Sequence, residues 1–93
     1  MLYILNKTDE ESLRQLAVIG ADDDEKSVLF ISDAVFRASE ANIARFADLD
    51  VEKFYAAKDA VEARTMQVAG SVELVDYDDM AELLEDHDKI VTL

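Results

Sequence analysis

Short apolar runs alternate along the chain with longer stretches in which apolar residues recur every three or four positions. Leu2-Tyr3-Ile4-Leu5 is apolar throughout and closed by polar Asn6 and Lys7, the pattern of a strand buried on both faces. Thr8 and Glu11 have the spacing of a capping box, predicting a helix over about 9–19 with Leu13, Leu16 and Ala17 on one face. Gly20 stands where that helix ends. Val28-Leu29-Phe30-Ile31 is the strongest strand signal in the chain. Beyond Ser32 and Asp33, the residues Val35, Phe36, Ile43, Phe46 and Ala47 recur at roughly helical spacing and predict a helical stretch. Val51 to Ala56 predicts a third strand, followed by a helical turn through Asp59, Val61 and Arg64. After a connector at 67–71, Val72 to Val75 predicts a fourth strand. Asp76 is placed to cap a helix with Tyr77, Met80, Leu84 and His87 on one face, and 89–93 predicts a fifth strand.

Strands that alternate with helices, and that are nearly continuous apolar runs, indicate a parallel sheet covered on both sides. The expected fold class is α/β: a single small domain over 1–93, with a mainly parallel central sheet of about five strands and helices on both faces. The crossovers should be right-handed. No internal repeat, low-complexity stretch or linker interrupts the pattern.

Composition narrows the function classes. With 93 residues the core is modest, because a chain of this size buries roughly 60–65% of the surface it exposes when unfolded. Cysteine is absent, which excludes disulfides, thiolate metal sites and cysteine nucleophiles. No charged-then-apolar leader opens the chain, and no apolar run approaches the ~20 residues of a membrane span, so a soluble cytoplasmic protein is expected. Against 22 Asp and Glu there are 9 Lys and Arg, for a net charge of −13. Phosphate backbones and anionic membranes would be repelled. A basic protein partner would be attracted. Solubility or a salt-rich interior, which needs no partner, is the favoured account of the charge.

Candidate chemistry is sparse. Neither a G-x-G-x-x-G fingerprint nor a phosphate-binding G-x-x-x-x-G-K-[ST] loop is present, and no cofactor is implied. The acidic run Asp22-Asp23-Asp24-Glu25 lacks the alternation and central glycine of a calcium loop and reads as a solvated turn. His87, the sole histidine, would be a general base or metal ligand only with help the sequence does not supply; a helix-end structural role is favoured. Asp33 follows the strongest strand, and Tyr77 the fourth, so both fall on the edge where open α/β sheets bind ligands. Ser32 and Asp33 read more simply as a helix cap, and Asp76, Asp78 and Asp79 as acids favoured by a helix N-terminus. No residue is assigned a catalytic, cofactor-binding or metal-binding role.

Three stretches in order resemble one family. Ile31-Ser32-Asp33-Ala34-Val35-Phe36 is similar to a strand running into Gln/Glu/Asn-Asp/Asn-Gly-Val-Tyr/Phe. Phe54-Tyr55-Ala56 with Asp59-Ala60-Val61-Glu62-Ala63-Arg64 resembles Val-Tyr-Ala…Asp-Leu-x-Ala-Arg-Gly. Val75-Asp76-Tyr77-Asp78-Asp79-Met80, continuing to His87, resembles Ile-Asp-Tyr-x-x-Phe-x-x-Leu…His. With Leu2-Tyr3-Ile4-Leu5-Asn6-Lys7 at the start, the resemblance to the DsrH/TusB family spans the chain. Ala34 and Thr65 replace family glycines, leaving the backbone at those turns open. Leu93 stands where many members end near a tryptophan, and the cysteine that some members carry in the first helix is absent around Leu16 to Val18.

The resemblance implies a DsrE/F/H-like fold and assembly into a heterohexamer with sister DsrE/F-like (TusD/C-like) subunits, one of which carries the active cysteine. Such complexes pass sulfane sulfur as a persulfide, toward 2-thiouridine at the tRNA wobble position or in sulfur oxidation. A cysteine-free member fits a non-catalytic, structural role. Val35, Phe36 and Ile43 are candidate interface residues, with ordinary core packing the alternative for each. Asp33 and Tyr77 mark the candidate functional edge. No direct nucleic-acid or membrane contact is expected. The alternative is a stand-alone acidic adaptor, or a homo-oligomer if sisters are absent, that retains the fold without sulfur transfer. An enzyme using Asp33 or His87 is the least supported option.

Overall fold

Alternation along each strand sorts the side chains into two core layers. In β1 (Leu2–Leu5) and β2 (Lys26–Phe30), Tyr3, Leu5, Val28 and Phe30 enter one layer, whereas Leu2 and Leu29 enter the other. β3 (Val51–Ala57) places Ala56 in the first layer and Tyr55 in the second. β4 (Val72–Val75) splits Val72 and Val75 in the same way, and β5 is Ile90–Thr92. The computed structural model describes residues 1–21 and 25–93, so Asp22, Asp23 and Asp24 of the acidic turn lie outside the described residues, as does the side chain of Ala47.

Among the described residues the five strands form one sheet in the order β4-β3-β2-β1-β5, with every pair parallel. Tyr3 pairs with Val28, Val28 with Phe54, and Phe54 with Val72, so the first layer is continuous across four strands. From β1 to β4 the chain steps in one direction across the sheet. Right-handed crossovers therefore lay the intervening segments on one face. These are α1 (Glu10–Ile19), the segment 32–49 and α3 (Lys58–Ala63), which contribute Leu16, Val35, Phe46 and Val61 to the first layer. The step from β4 to β5 runs the other way, from one edge to the opposite edge. Its helix α4 (Tyr77–Glu85) must lie on the second face, where Leu83 and Met80 pack on Leu2, Leu29, Tyr55 and Val75. Helices on both faces, as expected, thus follow from the order of strands.

The first layer is anchored by three phenylalanines. Phe30 and Phe46 meet edge-to-face at 5.4 Å, and Phe54 lies stacked 6.3 Å from Phe30. Gly20, the C-cap of α1, leaves no room for a side chain: a Cβ there would lie 2.7 Å from Lys26 Cδ and 2.9 Å from the Leu16 carbonyl oxygen. The Lys26 ammonium donates to the Gly20 carbonyl at 2.8 Å, bringing a buried cation to a helix end with no basic residue in its last turn.

Three local expectations change. The N-cap of α1 is Asp9, whose carboxylate accepts from Ser12 N at 3.0 Å, not Thr8. The carbonyls of Thr8 and Asp9 are instead bound by the buried guanidinium of Arg37. The helical stretch after β2 is not one helix. A 3-10 segment (Ser32–Ala38), a single α turn, α2 (Glu40–Ile43), and a second 3-10 segment (Ala44–Leu49) follow one another, separated at Ser39 by extended backbone. Residues three apart stack on a 3-10 segment, which is how Val35 and Ala38 both reach the core. In α4 the sheet-facing residues are Leu83 and Met80, while Tyr77 and Leu84 point outward.

Candidate functional edge

Because the sheet is parallel, the ends of β2, β3 and β4 emerge together. Ser32 and Asp33 follow β2, Lys58 and Asp59 follow β3, and Asp76 and Tyr77 follow β4. Between them lies an open pocket of about 450 Å³. Ile31, Ala57, Ala60 and Met80 form its apolar walls, and Ser32, Asp59, Arg64 and Tyr77 its polar ones. Ser32 turns the chain out of β2 with φ 50°, a left-handed conformation. Ala34, in place of the family glycine, stays outside the left-handed region and is fully buried.

Arg64 organises this edge, and the backbone explains how. Thr65 N donates to the Glu62 carbonyl and Met66 N to the Val61 carbonyl, the paired bonds of a Schellman motif that closes α3. Such a motif needs a left-handed residue after the cap, and Thr65 supplies it with φ 46° at the second replaced glycine. Arg64, at the cap itself, donates to the Ala60 carbonyl at 3.1 Å and to Asp33 Oδ1 at 2.7 Å. Its guanidinium lies 5.9 Å from the centroid of the Phe36 ring, within cation–π range. Asp33, Phe36 and Arg64 thus form one cluster beside the pocket, with Tyr77 on the pocket wall.

Of the residues singled out in the sequence, Asp33 and Tyr77 both lie on this edge. Phe36 is 46% exposed. Ile43 is half-buried against the first core layer, and Val35 is fully enclosed within it, with no surface to present. Arg64 was not singled out as a site residue: its partner Asp33 lies 31 positions away, and pairing at that range leaves no periodic signal. His87 sits at the opposite end of the sheet, beside Met1, Glu25 and Ser27. Its Nδ1 is 2.8 Å from the Leu83 carbonyl oxygen, which accepts, so Nδ1 carries a proton. Ser32 and His87 thus lie at opposite ends of the sheet.

A second charged cluster holds the β1–α1 corner. Arg45 donates to Glu10 at 2.6 Å, and Arg37 lies 3.8 Å from the same carboxylate. The hydrogen bond from Arg45 holds the Glu10 carboxyl below its ordinary value, with the charges of both arginines adding to it. Bonds from the Ser12 N–H and hydroxyl do the same for Asp9, helped by Lys7 and Arg37. Among the described residues no three His, Cys, Asp or Glu side chains are grouped so as to hold a metal ion.

The family model of DsrH-like proteins matches residues 7–90. The chain belongs to the DsrH family. Membership points to a sulfur-relay subunit, of a family that works with DsrE/F-like partners. No curated protein matches the sequence. Among solved structures, the ychN protein from E. coli superimposes with a TM-score of 0.73 at 16% identity, over 99% of this chain and 97% of that one. At that identity the likeness establishes the DsrE/F/H-like fold alone. No helix among the described residues is long and apolar enough to cross a membrane.

Proposed function

We propose that this DsrH-family chain is a non-catalytic, cysteine-free subunit of a cytoplasmic DsrEFH/TusBCD-like complex, folded as one domain over 1–93. One observation carries the reading: the family match runs through 7–90 of a chain that has no thiol. In persulfide transfer an acceptor thiolate attacks the terminal sulfur of R–S–S⁻, and the donor leaves as its own thiolate. Both steps need cysteine, so the chemistry belongs to a sister subunit and this chain shapes the assembly. The edge bearing Phe36, Asp33 and Arg64 is the face it turns toward that sister. The exposed Phe36 beside the half-buried Arg64, with the exposed Tyr77 on the adjoining pocket wall, supplies residue types that dominate protein interfaces. The net charge of −13 keeps tRNA off this subunit, so in the thiolation branch RNA contact falls to another protein.

The test is gentle affinity purification from the native host followed by intact-complex mass spectrometry. Recovery with two partners of similar size, one bearing a reactive cysteine, is the expected result. A Phe36→Ala/Arg64→Ala variant should then lose them while remaining folded. Recovery of the chain alone, as a monomer or homo-oligomer, would overturn the relay reading in favour of a stand-alone acidic adaptor.

A further inference from the structure

The helix α4 has more apolar surface than the sheet can cover. At 3.6 residues per turn, Leu83 and Met80 point into the second core layer. The apolar arc then continues around the helix through Leu84, Tyr77 and Ala81, at spacings of i, i+4 and i+7. This continuation is open to solvent, with Leu84 39% and Tyr77 74% exposed. Beyond it, on the outward side, come Asp78, Glu82 and Glu85. Residues 76–88 carry seven carboxylates and no lysine or arginine. Among the described residues none of the carboxylates in 76–88 is ion-paired, whereas Glu10, Glu11 and Asp33 on other elements are.

We propose that this face of α4 docks a basic amphipathic helix of a partner protein. The exposed apolar residues provide a seam of helix-packing dimensions, and the unpaired carboxylates beside it select the occupant. A second copy docked face to face would set the same carboxylates against each other, and one docked by another face would still bring a net charge of −13 to an acidic helix, so the occupant is not a copy. A metal ion would need a grouping of three ligand side chains, which the described residues do not provide. The complementary segment carries leucine-like side chains opposite Tyr77 and Leu84, and lysine or arginine opposite Asp78, Glu82 and Glu85. Tyr77 also lines the pocket that Arg64 bounds, so this face adjoins the proposed sister-facing edge at its Tyr77 end and continues away from it along α4 through Ala81 and Leu84. Peptide binding by the chain alone tests it without the relay reading.

The probe is a synthetic peptide of about five turns, ~18 residues, with leucines on one stripe and lysines flanking it. Its control is a scramble of identical composition, which has the same charge and no stripe. Fluorescence anisotropy should show the patterned peptide binding at least about tenfold tighter than the scramble. The Tyr77→Ser/Leu84→Ser variant should abolish that difference. The Asp78→Asn/Glu82→Gln/Glu85→Gln variant should weaken binding and flatten its salt dependence, whereas Asp50→Asn/Glu62→Gln, exposed at the end of the 32–49 segment and on α3 of the first face, should not. Equal binding of peptide and scramble, or no effect of Tyr77→Ser/Leu84→Ser, would overturn the proposal and leave the acidic helix as a solubility feature.

Discussion

Thr65 carries an unusual backbone burden. Its φ of 46° is one that β-branched residues rarely adopt, at a cost of about 1–2 kcal/mol. The Schellman motif imposes it, and the motif is what aims Arg64 at Asp33 and Phe36. Glycine, the usual family residue here, adopts the conformation freely but adds about 0.5–1 kcal/mol of unfolded-state entropy. Thr65→Gly should therefore raise stability by roughly 0.5–1 kcal/mol, read as a higher urea midpoint at unchanged slope. Thr65→Ala, which keeps the left-handed penalty, should give no comparable gain. If alanine stabilises as much as glycine, the strain lies elsewhere. The resemblance pointed to this turn from the sequence because a missing glycine is visible in a string of letters. The Arg64–Asp33 pair was not visible, because nothing in the spacing of two charged residues 31 positions apart says that a parallel sheet brings their strand ends together.

Elements differ in how openly they declare themselves. The strands are legible because burial on both faces leaves an unbroken apolar run, as at Val28 to Phe30. The stretch 32–49 is not, since Val35 and Ala38 are three apart in either an α or a 3-10 helix, and the break at Ser39 has no hydrophobic signature. The α1 terminus is a nearer miss: Thr8 and Asp9 are both good caps, and the buried Arg37, which claims the Thr8 carbonyl, accompanies the choice of Asp9. That corner has a pH signature. Asp9 and Glu10 titrate below their ordinary values of 3.8 and 4.5 in the fold, so the unfolded chain takes up their protons first as pH falls. Their contribution is fully present above those ordinary values and is lost as pH falls through the lowered ones. Asp9→Asn/Glu10→Gln keeps oxygen acceptors and removes both titrations. Its urea midpoint should lie below that of the wild type at neutral pH, with the gap closing as pH falls below the ordinary carboxylate values and through the lowered ones. A gap that stays constant through that range would show that the two charges contribute nothing.

For the whole molecule, charge is unevenly compensated. The first face of the sheet is closed by α1, the 32–49 segment and α3, and the arginine ion pairs at 14, 37, 45 and 64 all lie on those elements. The second face is closed by α4, which carries carboxylates with no cation among them over 76–88. A surplus of 13 negative charges on a chain of 93 residues repels itself more strongly when folded than when expanded. Salt should relieve this. Raising NaCl from about 0.1 M to about 1 M shortens the screening length from ~10 Å to ~3 Å. That covers carboxylates one or two helical turns apart on α4, but leaves the 2.6–2.7 Å contacts of Arg45 with Glu10 and Arg64 with Asp33 least affected. The urea midpoint should rise with salt. A non-specific osmotic effect would raise it equally in any variant, so the decisive comparison is Asp78→Asn/Glu82→Gln/Glu85→Gln. That variant should start more stable at low salt and gain less from added salt than the wild type. If both gain equally, self-repulsion along α4 is not what limits the stability of the fold. The carboxylates could then be retained at no cost, and their unpaired state would say nothing about a partner.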